Sequence, residues 1–132
     1  MKGYHVNVEK ETLRNPDYRR VLYTGKHSQL VLMNLKSGEE IGEEVHSHLD
    51  QFFRFEEGEG KVTIDATQYM IKDGDAVIVP AGSKHNVINT SKTKNLKLYT
   101  IYSPPEHQDG VVRHTKAEAS AKPEEFDGKT TE

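Results

Sequence analysis

The stretch that most restricts what this chain can fold into is "GDAVIVPAGSKHNVIN", residues 74–89. Gly74 suits an entry turn, and the short apolar run behind it reads as a buried strand. Pro80 has no N–H to give to a ladder, so it closes that strand. Gly82 accepts a positive φ, and with Pro80 it builds a tight corner. His85 then opens the next strand, and Asn89 lies near its end. A strand, a rigid corner and a second strand led by an imidazole belong to a layered β-fold.

The flanking sequence repeats this grammar. "QLVLMNL" (29–35), "IGEEVHSH" (41–48), "QFFRF" (51–55), "KVTID" (61–65), "QYMI", "AVIVP" (76–80), "HNVIN" and "LKLYTIY" (96–102) read as short strands. Polar turns such as "KSGEE", "EEGEG" and the Asp-Gly turn of "KDGD" separate them. Helical periodicity is scarce, so the expected class is all-β, a sandwich or barrel. Residues 9–20 hold one helical turn or an arm across it, and "TKAEAS" from Thr115 a short helix. The final "AKPEEFDGKTTE" is polar and acidic and reads as a frayed tail in which Phe126 alone has reason to dock.

With 132 residues, one domain is expected. A net charge of −3 supplies no basic surface for nucleic acid. The group Arg14, Arg19, Arg20 and Lys26 is broken by Asp17 and reads as a solvated face. The absence of cysteine excludes disulfides, thiolate metal sites and a Cys nucleophile. No run approaches membrane-spanning length, and the start carries no apolar signal core, so no membrane partner and a cytoplasmic location are expected.

The spacing Gly74, Pro80, Gly82, His85, Asn89 resembles the second motif of the cupin family at every position. The first cupin motif resembles residues 38–58 in one register: Gly38, Glu44, His46, Gln51, Gly58. There Glu44 stands where the family has its first histidine, and Gln51 stands where it has its carboxylate. The rival register, using His46 and His48 as the pair, puts Glu40 where a glycine belongs and Phe52 or Phe53 where a ligand belongs. The resemblance covers roughly residues 28–103 and looks like that of small bacterial single-domain cupins labelled by similarity to mannose-6-phosphate isomerase. It implies a cupin jelly-roll β-barrel (a double-stranded β-helix) over 28–103, with an N-terminal arm and first strands in 1–27. A Pro-rich loop in 104–114 and a short helix or flexible acidic tail in 115–132 follow.

The resemblance also implies a divalent metal held by Glu44, His46, Gln51 and His85. Like the family's three histidines and one carboxylate, this set carries a charge of about −1, with the carboxylate moved. Imidazole, carboxylate and amide donors suit Zn²⁺, Fe²⁺, Mn²⁺ or Ni²⁺. The competing reading is a metal-free polar cluster in which Glu44 pairs with His46 or His85. Strand alternation puts Glu44, His46 and His48 on one face, His48 about 6–7 Å beyond the site. His48 is thus a pocket residue and, with Glu44, a candidate to move protons. Phe53, Phe55, Tyr99 and Ile101 are expected to line the cavity, Tyr69 and Tyr102 have hydroxyls to offer, and Phe52 faces outward beside Arg54. Lys84, next to His85, meets either an anionic ligand or solvent. The loop with Glu106, His107, Arg113 and His114 reads equally as a lid or a surface crossover.

The function classes that follow are a metal-dependent enzyme acting on a small polar molecule, such as a sugar or sugar acid, and a binding or sensing module without turnover. An Fe- or Cu-dependent dioxygenase is a variant of the first. A homodimer is expected from the family and from Phe52.

Overall fold

The computed structural model describes residues 1–132. Nine strands and two short helices follow in order: α1 Val8–Arg14, β1 Arg19–Thr24, β2 Gln29–Leu35, β3 Asp50–Glu57, β4 Glu59–Ile64, β5 Thr67–Lys72, β6 Ala76–Val79, β7 His85–Asn89, β8 Leu96–Ser103, β9 Val112–Arg113 and α2 Lys116–Ala121. They form a six-stranded sheet in the order β6-β3-β8-β2-β1-β9 and a three-stranded sheet in the order β5-β4-β7. Every pairing is antiparallel. This is the expected jelly roll, built from two facing sheets.

Alternation decides what lies between the sheets. In β3, Gln51, Phe53 and Phe55 are buried while Phe52, Arg54 and Glu56 are half-buried on the other face. In β8, Leu96, Leu98, Thr100 and Tyr102 point inward. The core they join includes Val31, Met33, Leu35, Val62, Val79 and Val87. Tyr99 and Ile101 therefore do not line the interior as expected: they occupy the alternate positions of β8, on the outer face, where Tyr99 lies 6.2 Å from Phe52 between ring centroids. A one-residue offset along a strand moves a side chain to the opposite face.

The corner after β6 is built as its residues dictate. Gly82 has φ +89° and donates its N–H to the carbonyl of His46 at 2.8 Å. Gly58 has φ +102°, and a Cβ there would stand 2.6 Å from the Asn95 carbonyl oxygen.

The second expected strand is corrected. Residues 41–48 are not one continuous strand: only Glu40 and Glu44 bridge to β7, opposite Ile88 and His85. Gly42, at φ +105°, interrupts the ladder, and Ser47–His48 form a turn. The backbone still runs beside β7, with Ile41 donating to Val87 and Glu44 exchanging both bonds with His85, all at 2.9 Å.

The termini are ordered against this body. Asn7 caps α1 by accepting from the N–H of Lys10 at 3.0 Å, and Thr12 is fully buried. Residues 116–121 form α2, capped by Thr115. Beyond it the chain is strapped down. Phe126 donates to the Glu106 carbonyl at 2.8 Å, and Thr131 donates to that of Thr24 at 2.9 Å. The reading of a frayed tail missed these bonds because their partners lie far away in sequence. No helix is long and apolar enough to cross a membrane.

Candidate metal centre

Two paired backbones bring the site together. The double hydrogen bond between Glu44 and His85 fixes their Cα positions opposite each other. His46 follows two residues later, its carbonyl pinned by Gly82. One ligand atom from each of Glu44, His46 and His85 lies within 4.8 Å of the other two. The His46 and His85 rings are 5.4 Å apart, and Phe53 packs 6.3 Å from His85.

Each group is oriented by its neighbours. His85 Nδ1 lies 3.0 Å from the Ser83 carbonyl, which can only accept; Nδ1 therefore carries a proton, and Nε2 is the nitrogen left to face an ion. His46 Nδ1 lies 3.8 Å from Glu106 Oε2. His46 Nε2 comes within 2.8 Å of Glu44 Oε2, yet the approach is not aligned as a hydrogen bond and the buried nitrogen has no hydrogen-bond partner. Two donors that approach side by side without bonding each other suit a shared cation. Gln51 is buried, and its amide N–H donates to Thr100 Oγ1 at 3.0 Å, which leaves Oε1 buried and without a partner. Gln51, Glu44 and His85 line one small cavity with Arg19, Phe53 and Tyr102, of about 10 Å³. That is room for about one water-sized occupant.

The electrostatics favour charge here. Burial pushes the Glu44 carboxyl up, but contact with His46 and the charges of His46, His85 and Arg19 outweigh it and hold the group below its usual range. Contact with Glu44 raises His46, burial opposes this, and the charges of Glu44 and Glu106 add to the rise. Tyr102, fully buried, is held strongly in its protonated form.

The structure thus brings Glu44, His46 and His85 together and sets Gln51 in the same cavity wall. His48 is elsewhere: it is exposed, because the chain turns at Ser47–His48 instead of continuing the alternation that would have carried it inward. Phe53 lines the cavity, whereas Phe55 is buried deeper in the core, stacked 6.2 Å from Phe53. Lys84 is exposed and pairs with Glu43 at 3.1 Å.

Arg19 was missed. Its side chain is only 11% exposed, inside the jelly roll and not on a solvated face. The signal was present: Arg19 alternates with Val21, and the pair sits opposite Met33 and Val31 of the core. His107 and Glu124 were not linked either. His107 Nδ1 donates to Glu124 at 2.9 Å, and its Nε2 accepts from the Tyr102 hydroxyl at 3.2 Å. No local sequence pattern signals a contact across 17 residues.

Comparison with known proteins agrees with this architecture. The Cupin domain family matches residues 31–102. The uncharacterized protein YrkC of Bacillus subtilis is 47% identical over 126 residues, which is 91% of this chain and 67% of that protein. Uncharacterized protein L612 of Acanthamoeba polyphaga mimivirus is 46% identical over 83% of this chain and 70% of its own length. The crystal structure of BH2720 from Bacillus halodurans superimposes with a TM-score of 0.89 at 47% identity, covering 92% of this chain and 96% of that one.

Proposed function

The chain belongs to the cupin family, and from that premise we propose that it holds one divalent ion between Glu44, His46 and His85, with Gln51 as a fourth, weaker donor. The observation that carries this reading is the convergence of three ligand atoms within 4.8 Å while His46 Nε2 and Gln51 Oε1 stay buried without a hydrogen-bond partner. The donor set fits Zn²⁺, Fe²⁺, Mn²⁺ or Ni²⁺, since imidazole and carboxylate suit borderline ions. A bound ion would supply Lewis-acid polarisation of a carbonyl or hydroxyl.

The ligand we propose is a small polar molecule, a sugar or sugar acid, handled by isomerase- or lyase-type chemistry. The chain's own groups support it. Glu44 is ionised at neutral pH and, where it does not hold the ion, able to take a proton, while Tyr102 stays protonated on the cavity wall with its hydroxyl proton given to His107 Nε2. His48, exposed in its turn, has no part in this. Phe53 and Tyr102 line one side of the cavity. A cytoplasmic homodimer completes the proposal; exposed Tyr69, Met70 and Ile78 on the edge strands β5 and β6 offer an apolar face to a second copy.

A second reading has its own observation. Glu44 and His46 at 2.8 Å, one held low and the other raised, also make a self-contained ion pair in a metal-free binding module. Metal analysis of protein purified without chelators separates the two. A stoichiometric transition metal that falls away in His85→Ala supports the metal centre. Protein that carries no ion and takes up none of these ions at micromolar concentration supports the binding module.

A further inference from the structure

Glu124 is the one side chain of the C-terminal strap that turns fully inward. Its carboxylate is 5% exposed, while Lys122, Pro123 and Glu125 around it are exposed. Three cationic or donor groups from separate elements hold it. His107 Nδ1 donates at 2.9 Å, Arg113 Nη2 donates at 3.2 Å, and Arg19 Nη1 stands 3.7 Å away. All three are themselves largely buried. The arrangement has more donors than its occupant uses: Nε of Arg19 and Nε of Arg113 are both buried without a partner. Two guanidinium groups and an imidazole facing one carboxylate describe a seat for a carboxylate better placed than one tethered to the end of a Glu side chain.

The seat also adjoins the metal centre. Arg19 lines the cavity shared by Glu44, Gln51, His85 and Tyr102. His107 reaches the same wall through the Tyr102 hydroxyl, and the Tyr102 ring packs edge-on against His46 at 6.1 Å. The cavity, of about 10 Å³, has no space for a sugar-sized molecule. A sugar-sized ligand that enters this cavity to reach Arg19 must therefore displace something. The Glu124 carboxylate sits on an irregular segment, residues 122–132, and is joined to the body by side chains, by the Arg113 bond to the Lys122 carbonyl and by a few further backbone contacts.

We propose that Arg19, Arg113 and His107 form a carboxylate-binding seat beside the metal centre, which the chain's own Glu124 fills until a ligand carboxylate takes its place. The proposal deepens the reading above and rests on it in one respect: the same ligand's hydroxyl or carbonyl oxygen faces the metal donors. The ligand class is then an acid carrying a vicinal or nearby hydroxyl, such as a uronate, and not a neutral sugar. The strap acts as an internal competitor that makes binding selective for molecules able to satisfy both guanidinium groups.

The test uses full-length protein and its Glu124→Gln variant, titrated calorimetrically with D-glucuronate and with D-glucose as the neutral control. Each is run metal-free and zinc-loaded. Removing the competing charge should tighten D-glucuronate binding at least about tenfold without helping D-glucose, as expected for charge-assisted recognition. Adding Arg19→Gln to the Glu124→Gln protein should abolish that gain. Equal binding by both proteins, an equal gain for D-glucose, or a Glu124→Gln chain that does not fold would each overturn the seat. The last result would make Glu124 a fixed structural member. The metal reading fails separately, through zinc that binds to no variant, and the metal-free titrations then still decide the seat.

Discussion

Glu44 Oε2 and His46 Nε2 stand 2.8 Å apart without forming an aligned hydrogen bond. Most buried polar atoms in folded proteins have a partner, so an unpaired imidazole nitrogen beside a carboxylate needs a cause. A cation between them and His85 is that cause in the reading proposed here. The ligand set can be dissected. His46→Ala and His85→Ala are each expected to lower zinc affinity by more than the roughly tenfold effect typical of outer-shell changes. Gln51→Ala should cost less, because an amide oxygen is a neutral donor, and His48→Ala should change nothing. Competition with a chromogenic chelator reads all four; unchanged affinity in both histidine variants would sink the site.

Phe53 and Tyr99 lie on the neighbouring paired strands β3 and β8 but on opposite faces of the same sheet, and truncation should separate them. Phe53 is 1% exposed and packs on His85. Phe53→Ala should destabilise the fold by about 3–5 kcal/mol. Tyr99→Ala, on the half-buried outer face, should cost clearly less. Urea unfolding measures both, and equal losses would mean that the faces are wrongly assigned.

Two glycines allow backbone strain to be weighed against a clash. Both Gly58 and Gly82 have φ near +90° to +100°, where a side chain is strained. At Gly82 an added Cβ meets nothing within 4 Å, so Gly82→Ala should cost only about 1–2 kcal/mol of strain. At Gly58 the same atom meets the Asn95 carbonyl at 2.6 Å, so Gly58→Ala should cost distinctly more. The order of the two denaturation midpoints checks this, and a reversed order counts against it.

The His107–Glu124 contact gives stability a pH dependence. Burial pushes His107 below its ordinary value of 6.5; contact with Glu124 opposes this, and the Arg19 charge adds to the fall. Below pH 6.5 the unfolded chain takes up a proton that folded His107 resists, so stability declines as pH falls from there until the folded value is passed. Glu124 is held below 4.5: burial raises it, but His107, Arg19 and Arg113 outweigh that. Its contribution is present above pH 4.5 and is lost as pH falls through the folded value. Thermal unfolding from pH 8 to pH 3.5 should show both declines, and His107→Gln should remove the upper one. A variant curve parallel to the wild type would disprove the assignment.

Strand positions were legible wherever apolar alternation met turn residues. β2 at Gln29–Leu35 and β7 at His85–Asn89 coincide with the runs read from the sequence. The corner at Pro80 and Gly82 was legible because few residues besides glycine accept its φ. The segment 41–48 was not, since its alternation is genuine but Gly42 and the turn at Ser47–His48 break the ladder it implies. Tyr99 and Ile101 were placed on the wrong face because a period of two fixes which residues share a face and not which face is interior.

The sequence by itself determined a cupin jelly roll, and it singled out Glu44, His46, Gln51 and His85, because their spacing is tied to turns that only glycine and proline make. Tertiary structure alone decided that His48 is a surface residue, that Arg19 is internal, and that Glu124 reaches back to Arg19 and His107. The physical reason is range. Turns and alternation are set by neighbours along the chain, whereas the partner of a buried charge is set by whichever distant element packs against it.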